Sequence, residues 1–207
     1  MKKNRDGRYL LSGVILAGLL IGVVFLLRLG QPKLPTLPEN FPRAKGSLNA
    51  PIQIIEFSDF ECPACKMAQP ILEDLVRRYP GKIRLVYLHF PLEGHRWAPL
   101  AHRAAECAAR QNRFWVYHDF LYAGQPDWTG AREAPIEVFV RYALQGGLES
   151  GSFAQCLADS RTDAKIREER LSGMGLGVQS TPSFFVNGDL AIGGLKLREE
   201  VEKWIRR

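Results

Sequence analysis

The sequence predicts an α/β fold, and three features of the 207-residue chain lead to this prediction. A strand rich in β-branched residues, residues 52–57, is followed by a helical segment and a second apolar strand. A block with helical spacing then occupies about residues 95–175. Two short strands joined by Asn187-Gly188 follow, and an amphipathic helix closes the chain. The first strand–helix–strand unit requires parallel strands joined by a right-handed crossover.

The N-terminal segment is apolar and is preceded by basic residues. Residues 10–27 contain no charged side chain. A helix needs about 20 apolar residues to cross a bilayer core, and this run together with Tyr9 just reaches that length. The basic flank predicts a cytoplasmic N-terminus, so residues 1–28 are interpreted as a cytoplasmic tip and transmembrane anchor of a single-pass membrane protein. A cleaved signal peptide is the alternative, although residues 28–31 offer no small-x-small cleavage pattern.

Basic charge is concentrated at this end of the chain. The formal charge is +6, from 28 basic and 22 acidic residues. Beyond residue 28 the chain has 23 basic and 21 acidic residues, or +2, so its charge does not indicate a nucleic-acid partner. Residues 29–47 contain four prolines and two glycines, which predicts a semi-rigid linker. The folded domain is predicted to occupy residues 48–207, outside the cytoplasm.

A Cys-Pro-Ala-Cys motif, residues 62–65, lies between the first strand and the first helix. Pro63 suits the first turn of a helix, where its missing N–H group has no intrahelical partner to lose. The helix is expected to kink at Pro70 and to end at Pro80-Gly81. The apolar face predicted for this helix comprises Met67, Ile71, Leu72, Leu75 and Val76.

The spacing of Cys62 and Cys65 predicts thiol–disulfide exchange. A cysteine at a helix N-terminus is stabilised as a thiolate by unpaired N–H groups and by the helix dipole, and the thiolate is the form that attacks disulfides. Cys65, one turn further along and more shielded, would release the resulting mixed disulfide. Half of a zinc site and a chance pair of structural cysteines are the alternatives. Zinc sites of this kind usually need a second close pair of ligands, and Cys107 and Cys156 are far apart in the sequence.

Other polar residues near the motif receive ordinary structural interpretations. The four histidines, His89, His95, His102 and His118, lack the spacing of a metal site. His95 and His118 are expected to brace helices. Asp59 and Glu61 are expected to be exposed acids of a surface loop.

Two segments resemble the active-site segments of DsbA-like thioredoxin-fold proteins, including membrane-tethered ones. Residues 55–65 read IEFSDFECPAC and are similar to the segment that carries the reactive cysteines, and residues 180–188 read STPSFFVNG and are similar to the cis-proline loop with its hairpin. The resemblance covers about residues 46–207. It implies a thioredoxin-like fold, with a mixed central sheet flanked by helices and a helical subdomain inserted at about residues 95–175.

The resemblance also implies roles for three residues around the cysteines. The Thr181–Pro182 bond is expected to be cis, facing the cysteines, with the Thr181 backbone free to pair with a substrate strand. An ordinary trans proline is the alternative. Thioredoxin-like proteins place an acid at the position of Glu56, which is expected to help move the proton of Cys65. Glu56 could instead face solvent or a basic neighbour.

The remaining cysteines, Cys107 and Cys156, are expected to form a structural disulfide. Two spare cysteines seldom stay free outside the cytoplasm, and some DsbA-like proteins carry a second bridge in the helical part. The alternative is two buried reduced thiols.

The function implied by the resemblance is donation of the Cys62–Cys65 disulfide to reduced or misfolded extracytoplasmic proteins. Such donors are reoxidised by a quinone-linked membrane protein of the DsbB-like or vitamin K epoxide reductase-like kind. No cofactor is expected, and the domain is expected to be monomeric. The alternatives are a reductase or isomerase of the same fold and, in a different class, a non-catalytic thiol- or metal-binding module.

Overall fold

The computed structural model describes residues 34–207, and its centre is a mixed five-stranded sheet. The strand order is β1–β3–β2–β4–β5. Only β2 and β3 are parallel, and the other neighbouring strands pair antiparallel. The strands are β1 (Ala44–Lys45), β2 (Ile52–Ser58), β3 (Ile83–His89), β4 (Ser183–Val186) and β5 (Asp189–Ile192). The predicted parallel unit and the predicted Asn-Gly hairpin between β4 and β5 are both confirmed.

The helices of residues 34–207 fall into two groups. The first is a pair that packs on the sheet, and it consists of α1 (Pro63–Arg78) and α8 (Gly193–Ile205). The second is the predicted helical block, α2 (Ala98–Arg110), α3 (Phe114–Ala123), α4 (Gln125–Thr129), α5 (Ile136–Gln145), α6 (Ser150–Ala158) and α7 (Ser160–Gly175). All seven residues of β3 are buried, because helices cover both faces of the sheet.

Helix α1 begins at Pro63 and continues through Pro70 to Arg78. Its buried residues are Cys65, Ala68, Gln69, Leu72 and Leu75. The prediction that Met67 belongs to the buried face was wrong, because this side chain is 69% exposed. At about 100° per residue, Met67 lies roughly 200° around the helix from Cys65, and burial of Cys65 therefore turns Met67 outward.

The folded domain begins before the predicted boundary at residue 48. Ala44 and Lys45 of β1 pair with Val86 and Leu85 of β3, and Arg43 is completely buried. The end of the proline-rich segment therefore belongs to the sheet. The predicted anchor, residues 1–28, and the linker up to residue 33 lie outside the described residues. Within residues 34–207, no helix has the length and apolarity needed to span a bilayer.

The helical block is held together by a disulfide and a large apolar core. Cys107 of α2 and Cys156 of α6 are joined, with a Cα–Cα distance of 5.7 Å. Around this bridge lie the buried side chains of Phe114, Tyr117 and Phe153. The block is therefore a cross-linked layer on the side of the sheet opposite α1 and α8.

Candidate active site

Cys62 and Cys65 are free thiols at the start of α1, directly beyond the end of β2. Cys62 is the residue before the first helical position and has extended backbone angles, φ −73° and ψ 121°. Its carbonyl accepts hydrogen bonds from the N–H groups of Cys65 and Lys66. Cys62 is 7% exposed and Cys65 is fully buried. The first thiol thus sits at the positive end of the helix, and the second lies beneath it.

The two thiols differ strongly in acidity. The hydrogen bond from the Cys65 thiol, helped by Thr181 and by the N–H groups of Cys65 and Ala64, lowers the pKa of Cys62 to about 5 against the opposing effect of burial. Burial, followed by the neighbouring Cys62, raises the pKa of Cys65 well above its ordinary value. The pair therefore holds one sulfur as a thiolate and the other as a thiol at neutral pH.

The loop that precedes β4 faces the cysteines. The Thr181–Pro182 peptide bond is cis. The Sγ atom of Cys62 lies 3.6 Å from the carbonyl oxygen of Thr181. The carbonyl of Pro182 accepts a hydrogen bond from Gly193 at the start of α8. The structure thus brings together Cys62, Thr181 and Pro182, which are about 120 residues apart in sequence.

Glu56 lies on β2 and is fully buried. Gln69 of α1 donates its amide to Oε1 of Glu56 at 3.1 Å and, less closely, to the carbonyl of Cys65 at 3.4 Å. Burial raises the pKa of Glu56. Glu56 neither faces solvent nor forms a salt bridge within residues 34–207. Glu56 is therefore a buried carboxyl group that is linked to the backbone of Cys65 through the side chain of Gln69.

Asp59 is completely buried, so the expectation of an exposed loop acid was wrong for this residue. Its carboxylate accepts hydrogen bonds from the Leu92 N–H at 2.8 Å and from His95 Nδ1 at 2.7 Å, and His102 Nε2 lies 3.5 Å away. Burial alone would raise the pKa of Asp59. The hydrogen bonds and the charge of His102 lower this pKa by more than burial raises it, so the net shift is downward. A carboxylate is tolerated in such a position only when distant segments supply its partners.

Glu61 is only partly exposed and also has a structural partner. Its Oε2 atom accepts a hydrogen bond from the Trp97 N–H at 2.6 Å. Together, Asp59 and Glu61 attach the loop before Cys62 to residues 92–97. The main-chain N–H of Asp59 in turn donates to Sγ of Cys65 at 3.4 Å.

Sequence reasoning missed a chain of buried polar side chains behind this loop. His102 and His89 share a hydrogen bond between their Nδ1 atoms at 2.7 Å, and Nε2 of His89 lies 3.4 Å from Glu106. Glu106 pairs with Arg43, whose Nε atom is 3.0 Å from Oε2. Burial and the charge of Arg43 lower the pKa of His89 to about 3, so this ring is neutral. The signal available in the sequence was Glu106 in an alanine-rich helical stretch and His89 at the end of an apolar strand.

The histidines form no metal site in the described part of the chain. No group of three or more histidine, cysteine or acidic side chains in residues 34–207 has an arrangement that could hold a metal ion. His95 braces the loop at Asp59, and Nδ1 of His118 lies 2.8 Å from Asp119.

A family model described as thioredoxin matches residues 40–207. The chain belongs to the thioredoxin family. Three solved structures show which members share its fold. A thioredoxin-like oxidoreductase from Silicibacter pomeroyi is 26% identical with a TM-score of 0.64, and the alignment covers 79% of this chain and 92% of that one. Wolbachia pipientis α-DsbA1 is 22% identical with a TM-score of 0.71, covering 83% and 93%. Bacillus subtilis BdbD is 21% identical with a TM-score of 0.67, covering 86% and 94%.

This thioredoxin-family chain therefore has the fold of the DsbA-like thiol–disulfide oxidoreductases, with the helical insertion that the sequence predicts. Its curated relatives are much longer proteins. The Na⁺/H⁺ antiporter NhaA 3 of Salinispora tropica is 38% identical over 145 residues, which are 70% of this chain and 21% of the antiporter. NhaA of Herminiimonas arsenicoxydans is 29% identical over 154 residues, 74% of this chain and 24% of that protein. The chain spans only about a fifth to a quarter of the length of these relatives.

Proposed function

We propose that this thioredoxin-family chain is an extracytoplasmic oxidoreductase that donates its Cys62–Cys65 disulfide to reduced or misfolded proteins. The observation that carries the proposal is the opposite acidity of the two thiols at the start of α1. A substrate thiolate attacks Sγ of Cys62, the Cys62–Cys65 bond breaks, and Cys65 leaves. A second substrate thiolate then attacks the substrate sulfur of the mixed disulfide, and Cys62 leaves with the bonding electron pair. A thiol of low pKa is a good leaving group, so the low pKa of Cys62 favours donation over reduction.

The surroundings of Cys62 support an unfolded protein as the substrate. The Thr181 backbone next to Cys62 lies at the start of the loop into β4, where an extended chain could pair with it. Exposed apolar side chains adjoin the elements that form the site, since Ile192 and Leu195 flank Gly193-Gly194 at the start of α8, where Gly193 binds the Pro182 carbonyl, and the exposed Met67 lies on α1. Apolar surface of this kind suits the apolar segments that an unfolded chain exposes.

The donated disulfide has to be regenerated, and the N-terminal segment suggests where. We place the domain outside the cytoplasm on a single-pass anchor formed by residues 1–28, acting as a monomer. A quinone-linked membrane protein of the DsbB-like or vitamin K epoxide reductase-like kind then reoxidises Cys62 and Cys65. The anchor supports this arrangement because it confines the domain and its oxidant to one surface.

The experiment that tests the proposed function follows the mixed disulfide. The oxidised domain is mixed with reduced, denatured ribonuclease A, and disulfide formation and covalent adducts are followed on non-reducing gels. Reduced Cys65→Ser protein is incubated with glutathione-oxidised ribonuclease. Cys65→Ser is expected to accumulate an adduct through Cys62, whereas Cys62→Ser, the matched control, forms none. Disulfide transfer by Cys62→Ser at the wild-type rate would refute the assignment of the nucleophile.

The direction of electron flow is measured by the reduction potential against glutathione. A value near about −120 to −180 mV supports donation, whereas a value near about −270 mV supports a reductase. Wild-type protein that binds metal through both thiols but exchanges no disulfide would establish the non-catalytic alternative.

A further inference from the structure

Two of the buried polar side-chain atoms without a hydrogen-bond partner within residues 34–207 lie on β2 and α3. They are Oε2 of Glu56 and Nε2 of His118. Both residues are buried, and their other polar side-chain atoms are satisfied by Gln69 and Asp119 respectively. Buried polar atoms almost always have a partner, so a pair of unpartnered atoms in one region requires a physical explanation.

Glu56 on β2 of the sheet and His118 on α3 of the helical block lie near each other. Among the groups that oppose the effect of burial on the pKa of Glu56, His118 acts most strongly. Tyr87 pairs with Glu56 between β2 and β3, and its ring centroid is 5.7 Å from that of His118. The Tyr122 ring is 4.9 Å from the His118 ring, and the charge of Glu56 contributes to raising the pKa of Tyr122. Glu56 and His118 therefore share Tyr87 and Tyr122 as neighbours.

A cavity connects this region to the protein surface. It has a volume of about 300 Å³, and its lining includes the buried side chains of Gln69 and His118 and the exposed residues Glu73 and Asp119. Gln69 is also the residue whose amide binds Glu56, so one wall of the cavity is formed by the side chain that holds this carboxyl group. A cavity of this size has room for several water molecules, and Gln69 and His118 supply polar groups in its wall.

We propose that His118 is a relay residue that passes protons between Glu56 and the solvent in this cavity whenever Cys65 gains or loses its proton. This inference rests on the proposed function. His118 contacts neither substrate nor thiol and acts through Glu56, which makes it a positioning residue. The Asp119 carboxylate can only accept a hydrogen bond, so Nδ1 of His118 is the donor, and Nε2 is the ring atom left to take up or release a proton.

The protons and electrons balance in both directions. During donation, a substrate thiolate forms a bond to Sγ of Cys62, and the Cys62–Cys65 bond breaks with its electron pair on Cys65. Cys65 then takes a proton from the Glu56 carboxyl group, and Glu56 recovers one from solvent through His118. When Cys65 resolves a mixed disulfide formed at Cys62, it gives its proton to Glu56 and attacks Sγ of Cys62, and the bond to the other sulfur breaks so that this sulfur leaves as a thiolate. Glu56 then releases the proton to solvent by the same route.

Other charged and titratable groups lie around Glu56 and His118, and their titration also contributes to the pH dependence of the reaction. They come from β1, α1, β3 and α3. They are Lys45, Cys65, Lys66, Glu73, Tyr87, Asp119 and Tyr122.

The relay is tested by a single-turnover reaction with Ellman's reagent. Attack by Cys62 on the reagent releases one coloured thiolate, and attack by Cys65 on the mixed disulfide releases a second. The variant His118→Phe keeps an aromatic ring against Phe60, Tyr87 and Tyr122 but removes both nitrogens. It is expected to leave the first release within about twofold of wild type and to slow the second at least about tenfold near pH 7, since positioned acid–base groups contribute about a hundredfold or more. The deficit is expected to disappear near about pH 9, where hydroxide removes the proton directly.

The matched control is Trp115→Phe, which alters a ring 5.2 Å from His118 on the same helix without removing a titratable group. A second release by His118→Phe at the wild-type rate, with the wild-type pH profile, overturns the relay. Failure of the wild-type protein to release the first thiolate would instead overturn the proposed function. If His118→Phe does not fold, the relay is tested with Asp119→Asn, which changes an exposed side chain. A slower second release below pH 7 supports the relay, and an unaltered profile overturns it.

Discussion

The acidity of Cys62 predicts that reduction changes the stability of the domain in a pH-dependent way. Its pKa falls from the ordinary 9.0 to about 5 in the folded reduced protein. The folded reduced protein therefore releases a proton that the unfolded chain still holds between these values. This stabilises the reduced fold fully above about pH 9, and the stabilisation is lost as the pH falls to about 5. The oxidised protein has no thiol at this position and gains nothing.

The size of the effect follows from the width of this interval. Each pH unit corresponds to about 1.4 kcal/mol, so at pH 7, two units above the folded-state pKa, the reduced form gains about 3 kcal/mol relative to the oxidised form. The same free energy raises the reduction potential by about 60 mV over that of a site with an ordinary thiol, because about 30 mV corresponds to 1.4 kcal/mol for two electrons. A higher potential is the property that a disulfide donor needs.

The assay is urea unfolding of the oxidised and the reduced protein between about pH 5 and pH 8. The difference between their free energies of unfolding is expected to change by about 1.4 kcal/mol per pH unit in favour of the reduced form. Groups such as Glu56 and Asp59 titrate in both the oxidised and the reduced protein, so their contributions to the two free energies of unfolding largely cancel in the difference. The ultraviolet absorbance of the thiolate gives the midpoint independently, and Cys62→Ser is the control. A difference that stays constant with pH, or a midpoint near about 8.5, would refute the reasoning.

Two further predictions concern stability and use the same unfolding measurement. Arg43→Met removes the cation that Glu106 and Glu169 share, which leaves Lys165 as the ion-pair partner of the buried Glu106, and is expected to destabilise the fold by about 3–5 kcal/mol, whereas Arg161→Met, at an ion-paired side chain that is 87% exposed, is expected to have little effect. Equal effects of the two would contradict the structural role of the buried ion pairs. Replacing Cys107 and Cys156 by serine opens a loop closed across 49 residues and is expected to cost about 4 kcal/mol, measured in protein with both active-site cysteines replaced by serine. A loss below about 1 kcal/mol would show that the helical block needs no cross-link.

The parts of the fold that sequence reasoning predicted correctly are those with a local cause. The β-branched run of β2, the proline at the first position of α1 and the Asn187-Gly188 turn each determine the backbone of a few consecutive residues. The position of the Cys-x-x-Cys motif at the start of α1 follows from the same short stretch. These features needed no knowledge of distant contacts.

The errors have a cause in tertiary structure. The linker predicted for residues 29–47 includes Arg43 because prolines surround this residue, but its partners Glu106 and Glu169 lie on α2 and α7. Asp59 was assigned to the surface because an acid in a loop is usually solvated, but its donors are Leu92, His95 and His102. A charged residue is buried only when the fold places such partners around it. The periodicity of the sequence does not show which distant residues these will be.

The two reactive thiols also differ in whether their properties have a local cause or depend on tertiary contacts. The acidity of Cys62 has mainly local origins, namely the Cys65 thiol and the N–H groups of the first helical turn, and Thr181 contributes from a distant part of the sequence. The environment of Cys65 depends on tertiary contacts, because its sulfur accepts the N–H of Asp59, whose carboxylate is fixed by residues more than 30 positions later. Changes within the motif should therefore alter mainly the attack by Cys62. Changes in the buried polar residues around Asp59 and Glu56 should alter mainly the release by Cys65, although none of those residues belongs to the motif.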